Sequence, residues 1–301
     1  MTGTTPHRRV LFVHAHPDDE TINNGATMAR YSADGAGVTL LTCTLGEEGE
    51  VLVPELAGLV VEQADQLGGY RISELADAMQ ELGVTDSRFL GGVGRWRDSG
   101  MMGTPANDHP RAFWQADLDE ICAAAVEVIR DVRPQVLVTY DENGGYPHPD
   151  HIRCHEVSVA AFDAAGDPDR FAGAGDPWQP LKLYYSHGFS RKRMQLFHDE
   201  LVEAGIESPF TEWLSTWDPS RPDVMERVTT QVECGGYFPV RDDALRAHAT
   251  QIDPSSRWFA VPLKTQRELW PTEEYELARS LVDTTVPEDD LFEGVRERVH
   301  A

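Results

Sequence analysis

Histidines and carboxylates crowd two short stretches of this 301-residue chain, His14-Ala15-His16-Pro17-Asp18-Asp19-Glu20 and His148-Pro149-Asp150-His151. His16 and Asp19 stand three residues apart in a turn that Pro17 helps to fix, a spacing that lets an imidazole and a carboxylate address one ion. His151 offers a second imidazole. Two histidines and one carboxylate leave positions open for water and substrate, as in catalytic zinc sites, and the same set matches the facial triad of non-haem iron(II) enzymes. Donor identity leaves both metals open: one Zn2+ per chain, or Fe2+ in its place. Asp18, next to Asp19, can reach a water on such an ion without binding the ion itself, which suits a general base. Its other use would be to cap the helix that follows. His148, three residues before His151, is placed to stabilise an oxyanion as an imidazolium or to protonate a leaving amine, with Asp150 to orient it or raise its pKa. Tyr146 can add a hydroxyl to the same oxyanion or simply pack on the loop. The combination is that of a metal-dependent hydrolase.

Residues so far apart meet only if the fold brings their loops together. The apolar run at residues 10–13 reads as a strand buried on both faces and leads straight into the first stretch. Residues 38–43, 89–90 and 136–140 read as further strands, the last leading to the second stretch. Helices are expected at 25–33, 72–82, 118–132 and 152–165, with Gly35, Gly83 and Pro134 as stops. This alternation predicts an α/β, Rossmann-like, mostly parallel doubly wound sheet, in which loops at the carboxyl ends of strands share one crevice. Residues 1–165 would form this core. Residues 166–301 would complete the same catalytic domain as an α+β extension covering the site. In that part strands are expected at 183–186 and 229–234 and helices at 192–204 and 241–250. Pro- and Trp-rich loops surround Trp213, Trp217 and Trp270, and a charged peripheral tail spans 287–301.

Composition narrows the partners. With 26 Lys and Arg against 51 Asp and Glu, the net charge of −25 disfavours nucleic acid and anionic membranes. Cys43, Cys122, Cys154 and Cys234 are dispersed without a C-x-x-C pair, which fits neither a zinc ribbon nor a thioredoxin-type site. Only five apolar residues stand between Arg9 and His16, Val10 to Val13 and Ala15, too few for a signal peptide or a membrane span, so a reducing cytoplasm is expected. Nothing in the composition fixes the oligomeric state, and a homo-oligomer stays open.

No G-x-G-x-x-G and no P-loop follows the first strand, which removes the main support for a dehydrogenase or a kinase. Other loops suit a sugar. Glu50 closes the run Gly46-Glu47-Glu48-Gly49-Glu50 after the second strand, Asp98 lies within residues 94–101 after the third, and Arg71 opens a helix. Carboxylates and guanidinium forks bind vicinal hydroxyls, and Trp96 offers an apolar face.

With these residues in view, the chain resembles the PIG-L/LmbE-like zinc N-deacetylases. The residues that carry the resemblance are Ala15-His16-Pro17-Asp18-Asp19-Glu20 and His148-Pro149-Asp150-His151. It implies a Rossmann-like sheet, a divalent metal, usually zinc, on His16, Asp19 and His151, Asp18 as general base and His148 facing the oxyanion. Two groups of mycothiol-pathway enzymes within that family share the likeness. Residues 42–51, 68–72 and 94–101 resemble the deacetylases of N-acetylglucosaminyl-inositol, in which Arg71 and Asp98 would hold sugar hydroxyls. Residues 141–148, 184–189, 241–254 and 270–274 are more similar to mycothiol S-conjugate amidases. Thr21-Ile22-Asn23-Asn24 lacks the Lys expected of an amidase there and looks like the deacetylase. The expected activity is therefore zinc-dependent hydrolysis of the N-acetyl amide of N-acetylglucosaminyl-inositol, a small pseudo-disaccharide, to glucosaminyl-inositol and acetate. An amidase releasing a mercapturic acid and glucosaminyl-inositol is the alternative, and a sugar-binding protein of the same fold without turnover is a third reading.

Overall fold

The computed structural model describes residues 8–218, 220 and 222–295. The reading of the amino-terminal segment as no leader concerns mainly residues 1–7, which lie outside the described residues. A seven-stranded sheet runs through the molecule, built from β1 (Arg9–His14), β2 (Gly37–Thr42), β3 (Asp86–Phe89), β4 (Val136–Thr139), β5 (Lys182–His187), β6 (Thr230–Glu233) and β7 (Thr272–Ser280) in the order β3-β2-β1-β4-β5-β7-β6. Strands β1 to β5 pair in parallel, while β7 is antiparallel to both β5 and β6. The helices are α1 (Asp19–Ala33), α2 (Leu67–Leu82), α3 (Leu118–Val132), α4 (Pro149–Ala164), α5 (Arg191–Glu203), α6 (Thr211–Ser215), α7 (Phe238–Ala247) and α8 (Leu263–Leu269).

Strand β1 shows why the sheet needs two helical layers. Leu11 and Val13 face a core shared with Ile121, Val126 and Ile129 of α3 and Val157 and Phe162 of α4. Val10 and Phe12 face the opposite core with Met28 of α1, Leu75 and Met79 of α2 and Ala244 of α7. All four β1 side chains are buried, and each contributes about 1.5–3 kcal/mol from removing apolar surface from water. Unbroken apolar runs of this kind are what a parallel sheet covered on both faces requires.

From β1 the chain fills β2 and β3 on one side, then crosses to β4 on the other. The crevice between the carboxyl ends of β1 and β4 is thus the switch point of the topology, where doubly wound sheets place ligands. The loop after β1 carries His16, Asp18 and Asp19, and the loop after β4 carries His148 and His151.

Two expectations for the carboxyl-terminal half need correction. The residues after Trp270 form strand β7 rather than a loop. Its glutamates concealed it, because they are buried with partners. Glu273 accepts the amides of Ala26 and Thr27, and Glu274 accepts Trp270 Nε1–H and lies near Arg193. Satisfied polar groups can enter a core, and periodicity of apolar residues does not register them. The described part of the tail is not peripheral. Glu288 meets Lys182 Nζ at 2.6 Å with both side chains fully buried, and Leu291 and Phe292 pack in the core. The rest of that tail, residues 296–301, lies outside the described residues.

Candidate active site at the switch point

The turn from β1 into α1 determines the site. Helix α1 begins at Asp19, earlier than the apolar pattern indicates, and the carbonyl of Asp18 accepts the amides of Thr21 and Ile22. Asp18 itself has a positive φ of 110°, outside the usual range for a residue with a side chain. Arg71 of α2 holds this turn. Its guanidinium donates to the carbonyls of Pro17 and, at 2.8 Å, Gly46, and lies 3.3 Å from Asp18 Oδ2.

On the other side of the crevice α4 starts with His148 as its cap and Pro149 in its first turn, where a missing N–H costs nothing. His148 Nδ1 accepts the amide N–H of Asp150 at 3.2 Å, so its proton sits on Nε2, which faces into the crevice 3.9 Å from Asp98 Oδ1. His151 Nδ1 donates to the carbonyl of Gly144 at 2.9 Å. That bond turns Nε2 toward Asp19, where it is buried without a hydrogen-bond partner.

The structure brings the two stretches together. Asp19 Oδ2 lies 3.3 Å from His16 Nδ1 and 3.3 Å from His151 Nε2, and also accepts the His16 amide at 2.9 Å. The ring nitrogens of His16, His148 and His151 converge as well, and His16 and His148 form a second cluster with Asp98 and Asp150. Tyr146 stands edge-on to His151 at 4.6 Å between ring centroids, at the exposed mouth. Tyr140, which follows β4, stacks on His151 at 4.3 Å, and its hydroxyl holds the amide of Ala15.

Electrostatics sort these groups. Burial disfavours a charged His16, but Asp98, Asp150 and Asp19 outweigh it and raise its pKa well above the usual value. Burial also works against an ionised Asp19, yet His151 and His16 hold it well below the usual carboxylate range. Asp18 is pushed up to about 6 by burial, with Arg71 opposing. Three buried carboxylates around histidines call for positive charge, and the orphaned His151 Nε2 faces the same point. This donor set fits a divalent cation, and His16 has the carboxylates of Asp150 and Asp98 behind its other nitrogen, at 3.3 and 3.5 Å, as metal-bound imidazoles commonly do.

Several sequence-based expectations change in detail. Asp150 does not place its carboxylate on His148. That carboxylate meets His16 and accepts the amide of Ser99, because α4 carries it inward while its backbone N–H caps His148. Burial and His16 press the pKa of His148 down to about 3, which favours the neutral imidazole over the imidazolium. Asp98, expected on the sugar, also lies near the histidines and is anchored by the amides of Glu48 and Gly100. Glu50 lies exposed at the rim, and its carbonyl accepts Gln251 Nε2–H. Glu20 and His248 went unassigned in the sequence. Both are fully buried and paired at 3.0 Å. The sequence carried no signal for this pair, because residues 241–250 read as one helix, whereas α7 ends at Ala247 and His248 caps it.

The loop after β4 offers a test of how the site is built. Gly144 has φ 72°, and an added Cβ would meet His151 Cβ at 2.5 Å. Gly144→Ala should therefore tilt the ring whose Nδ1 it binds, and lower metal affinity about 10–100-fold, as loss of an outer partner does. Metal titration of the purified variant measures this, and wild-type affinity would show that the loop does not set the ring.

Comparisons with known proteins identify the family. The family model described as "PIG-L: GlcNAc-PI de-N-acetylase" matches residues 11–162. A Geodermatophilus obscurus protein named 1D-myo-inositol 2-acetamido-2-deoxy-alpha-D-glucopyranoside deacetylase is 56% identical over 97% of this chain and 99% of its own. A Streptomyces coelicolor protein named mycothiol S-conjugate amidase is 46% identical over 97% of this chain and 99% of its own. In fold, the chain is similar to the N,N'-diacetylchitobiose deacetylase of Pyrococcus horikoshii, with a TM-score of 0.58 and 15% identity over 90% of this chain and 82% of that one. Family model and full-length relatives together show that the chain belongs to the PIG-L, or GlcNAc-PI de-N-acetylase, family.

Proposed function

We propose that this chain hydrolyses the N-acetyl amide of N-acetylglucosaminyl-inositol, giving glucosaminyl-inositol and acetate, as a step in mycothiol biosynthesis. The observation that carries the chemistry is the buried, unpartnered His151 Nε2 facing Asp19 and His16, with Asp18 beside them. His16, Asp19 and His151 would hold one Zn2+, and Fe2+ suits the same donors. Such a cation, when bound, makes water acidic enough to lose a proton near ~pH 7 and polarises the amide carbonyl. Asp18 takes the proton of the attacking water. Arg71 keeps its carboxylate aimed, and a pKa pushed up to about 6 makes it basic enough to do so near neutrality. His148 donates its Nε2–H to the developing oxyanion, the neutral tautomer that the Asp150 amide selects. Tyr146 adds its hydroxyl from the mouth. Asp18 then returns its proton to the leaving nitrogen. Asp98, Arg71 and Glu50 would meet the sugar hydroxyls, Asp98 from inside the crevice and Glu50 from its rim. The free, buried cysteines suit the expected cytoplasm, and no helix among the described residues is long and apolar enough to cross a membrane.

One observation favours the amidase as a second reading. Ile22, whose amide is bonded to the carbonyl of Asp18, lines a pocket with Phe189, Phe197 and Trp213 and with Arg193, Arg241 and Arg257 from the carboxyl-terminal half. A pocket of that kind can accept a larger apolar acyl group and still admit acetyl, losing ~1–3 kcal/mol per unfilled contact. Deacetylation with measurable S-conjugate cleavage beside it is the expected result when kcat/KM is compared on the two substrates. Cleavage of a mycothiol S-conjugate about a hundredfold faster would make the amidase the main activity, since a ratio of that size reflects ~2.7 kcal/mol of transition-state preference.

A further inference from the structure

Asp18 keeps its strained, positive-φ conformation through its surroundings, and these reach into the carboxyl-terminal half. Its amide N–H donates to Glu20 Oε2 at 3.0 Å, and Glu20 Oε1 is 3.0 Å from His248 Nε2. Both residues are fully buried. Two positions on, the amide and hydroxyl of Thr250 each donate to the carboxylate of Glu74 at 2.7 Å. Glu74 lies one turn after Arg71 on α2, and Arg71 is the cation against Asp18. Gln251 Nε2 donates to the carbonyl of Glu50 at 2.8 Å, and the carbonyl of Thr250 accepts the amide of Leu52. Three of the four residues at 248–251 thus fasten the base, the helix that carries Arg71 and the loop that carries Glu50.

We propose that residues 248–251 are a positioning strap: His248, through Glu20, fixes the peptide of Asp18, while Thr250 and Gln251 set Arg71 and the Glu50 loop relative to it. None of the three touches the reacting atoms. The strap joins what Asp18 does to water with where the sugar lies, so its two ends should affect different kinetic constants. A strap of this kind would make the carboxyl-terminal half necessary to a site whose reacting groups all come from the amino-terminal one.

The proposal rests on Asp18 as the base, and the test separates the two. Activity is measured on the acetylated pseudo-disaccharide with the full, metal-loaded chain, as turnover per bound metal, so that loss of folded protein does not enter. His248→Ala should keep its metal and lower kcat about 30-fold with little change in KM, because a base displaced by a fraction of an ångström loses rate and not binding. His248→Gln, whose amide can still donate to Glu20, should recover most of that loss, which a general packing role would not produce. Gln251→Ala should raise KM about fivefold at nearly constant kcat, as loss of ground-state positioning does. Wild-type turnover per metal in His248→Ala overturns the strap. Should His248→Ala not fold, Gln251→Ala decides: a raised KM at constant kcat supports the strap, and an unchanged KM overturns it. Asp18→Asn serves as control. If it stays active, the base reading falls and the strap with it. If it is inactive while His248→Ala is not, the strap alone falls.

Discussion

Asp18→Asn is expected to keep its metal and lose about 10²–10⁴-fold in kcat, the range that a positioned general base supplies. Asn is the more telling substitution because it tolerates the positive φ of 110° at this position, which Ala would not. It also keeps an oxygen for the Arg71 guanidinium at 3.3 Å, so the turn should survive. What disappears is the carboxylate that accepts a proton. In the wild type, activity should fall as the pH drops through the pKa of Asp18, pushed up to about 6 by burial, and a cation beside it moves that limb lower by favouring the carboxylate. The variant should show no such limb in its residual activity. Metal analysis together with a pH–rate profile measures both. An emptied site in this variant would mean that Asp18 and Asp19 exchange roles.

Asp19→Ala should empty the site and abolish turnover. Asp19 Oδ2 lies 3.3 Å from both His16 Nδ1 and His151 Nε2, and it also fastens the His16 amide. Removing it leaves two imidazoles to hold an ion in a site already open on one side. The loss of affinity should exceed the ~10–100-fold that outer partners cost. Without this carboxylate, His16 and His151 also lose the neighbour that compensates their burial, so the cluster should rearrange rather than wait for metal. Metal content after dialysis and the rate of acetate release read the two consequences separately. Full metal and full activity in this variant would remove Asp19 from the ligand set.

The amino-terminal architecture was legible because its signals are local. Leu11 and Val13 alternate with Val10 and Phe12 in an unbroken apolar run, which marks a strand covered on both sides. Helix α3 was readable to the residue from its apolar spacing and the proline stop that follows it. Helix α1 was readable in its body and not in its start, since Asp19 and Glu20 in its first turn look like loop residues until the helix dipole that favours them is in place. Residue types alone brought His16, Asp19, His151, Asp18 and His148 forward as a chemical set, because few other purposes gather histidines and carboxylates at two strand ends.

Orientation came only with the fold. Which nitrogen of His148 carries its proton depends on the amide of Asp150 reaching Nδ1, and where the carboxylate of Asp150 points depends on how α4 enters the crevice. The partners of His248, Glu273 and Glu288 lie on distant elements, and nothing near each of them in the chain announces Glu20, the amides of α1 or Lys182. The chain therefore determined by itself which groups are available and which elements carry them, through patterns that span a few residues. The tertiary structure decided which polar groups could be buried, because a buried charge or amide is tolerated only where a partner meets it, and here the partner comes from far along the chain.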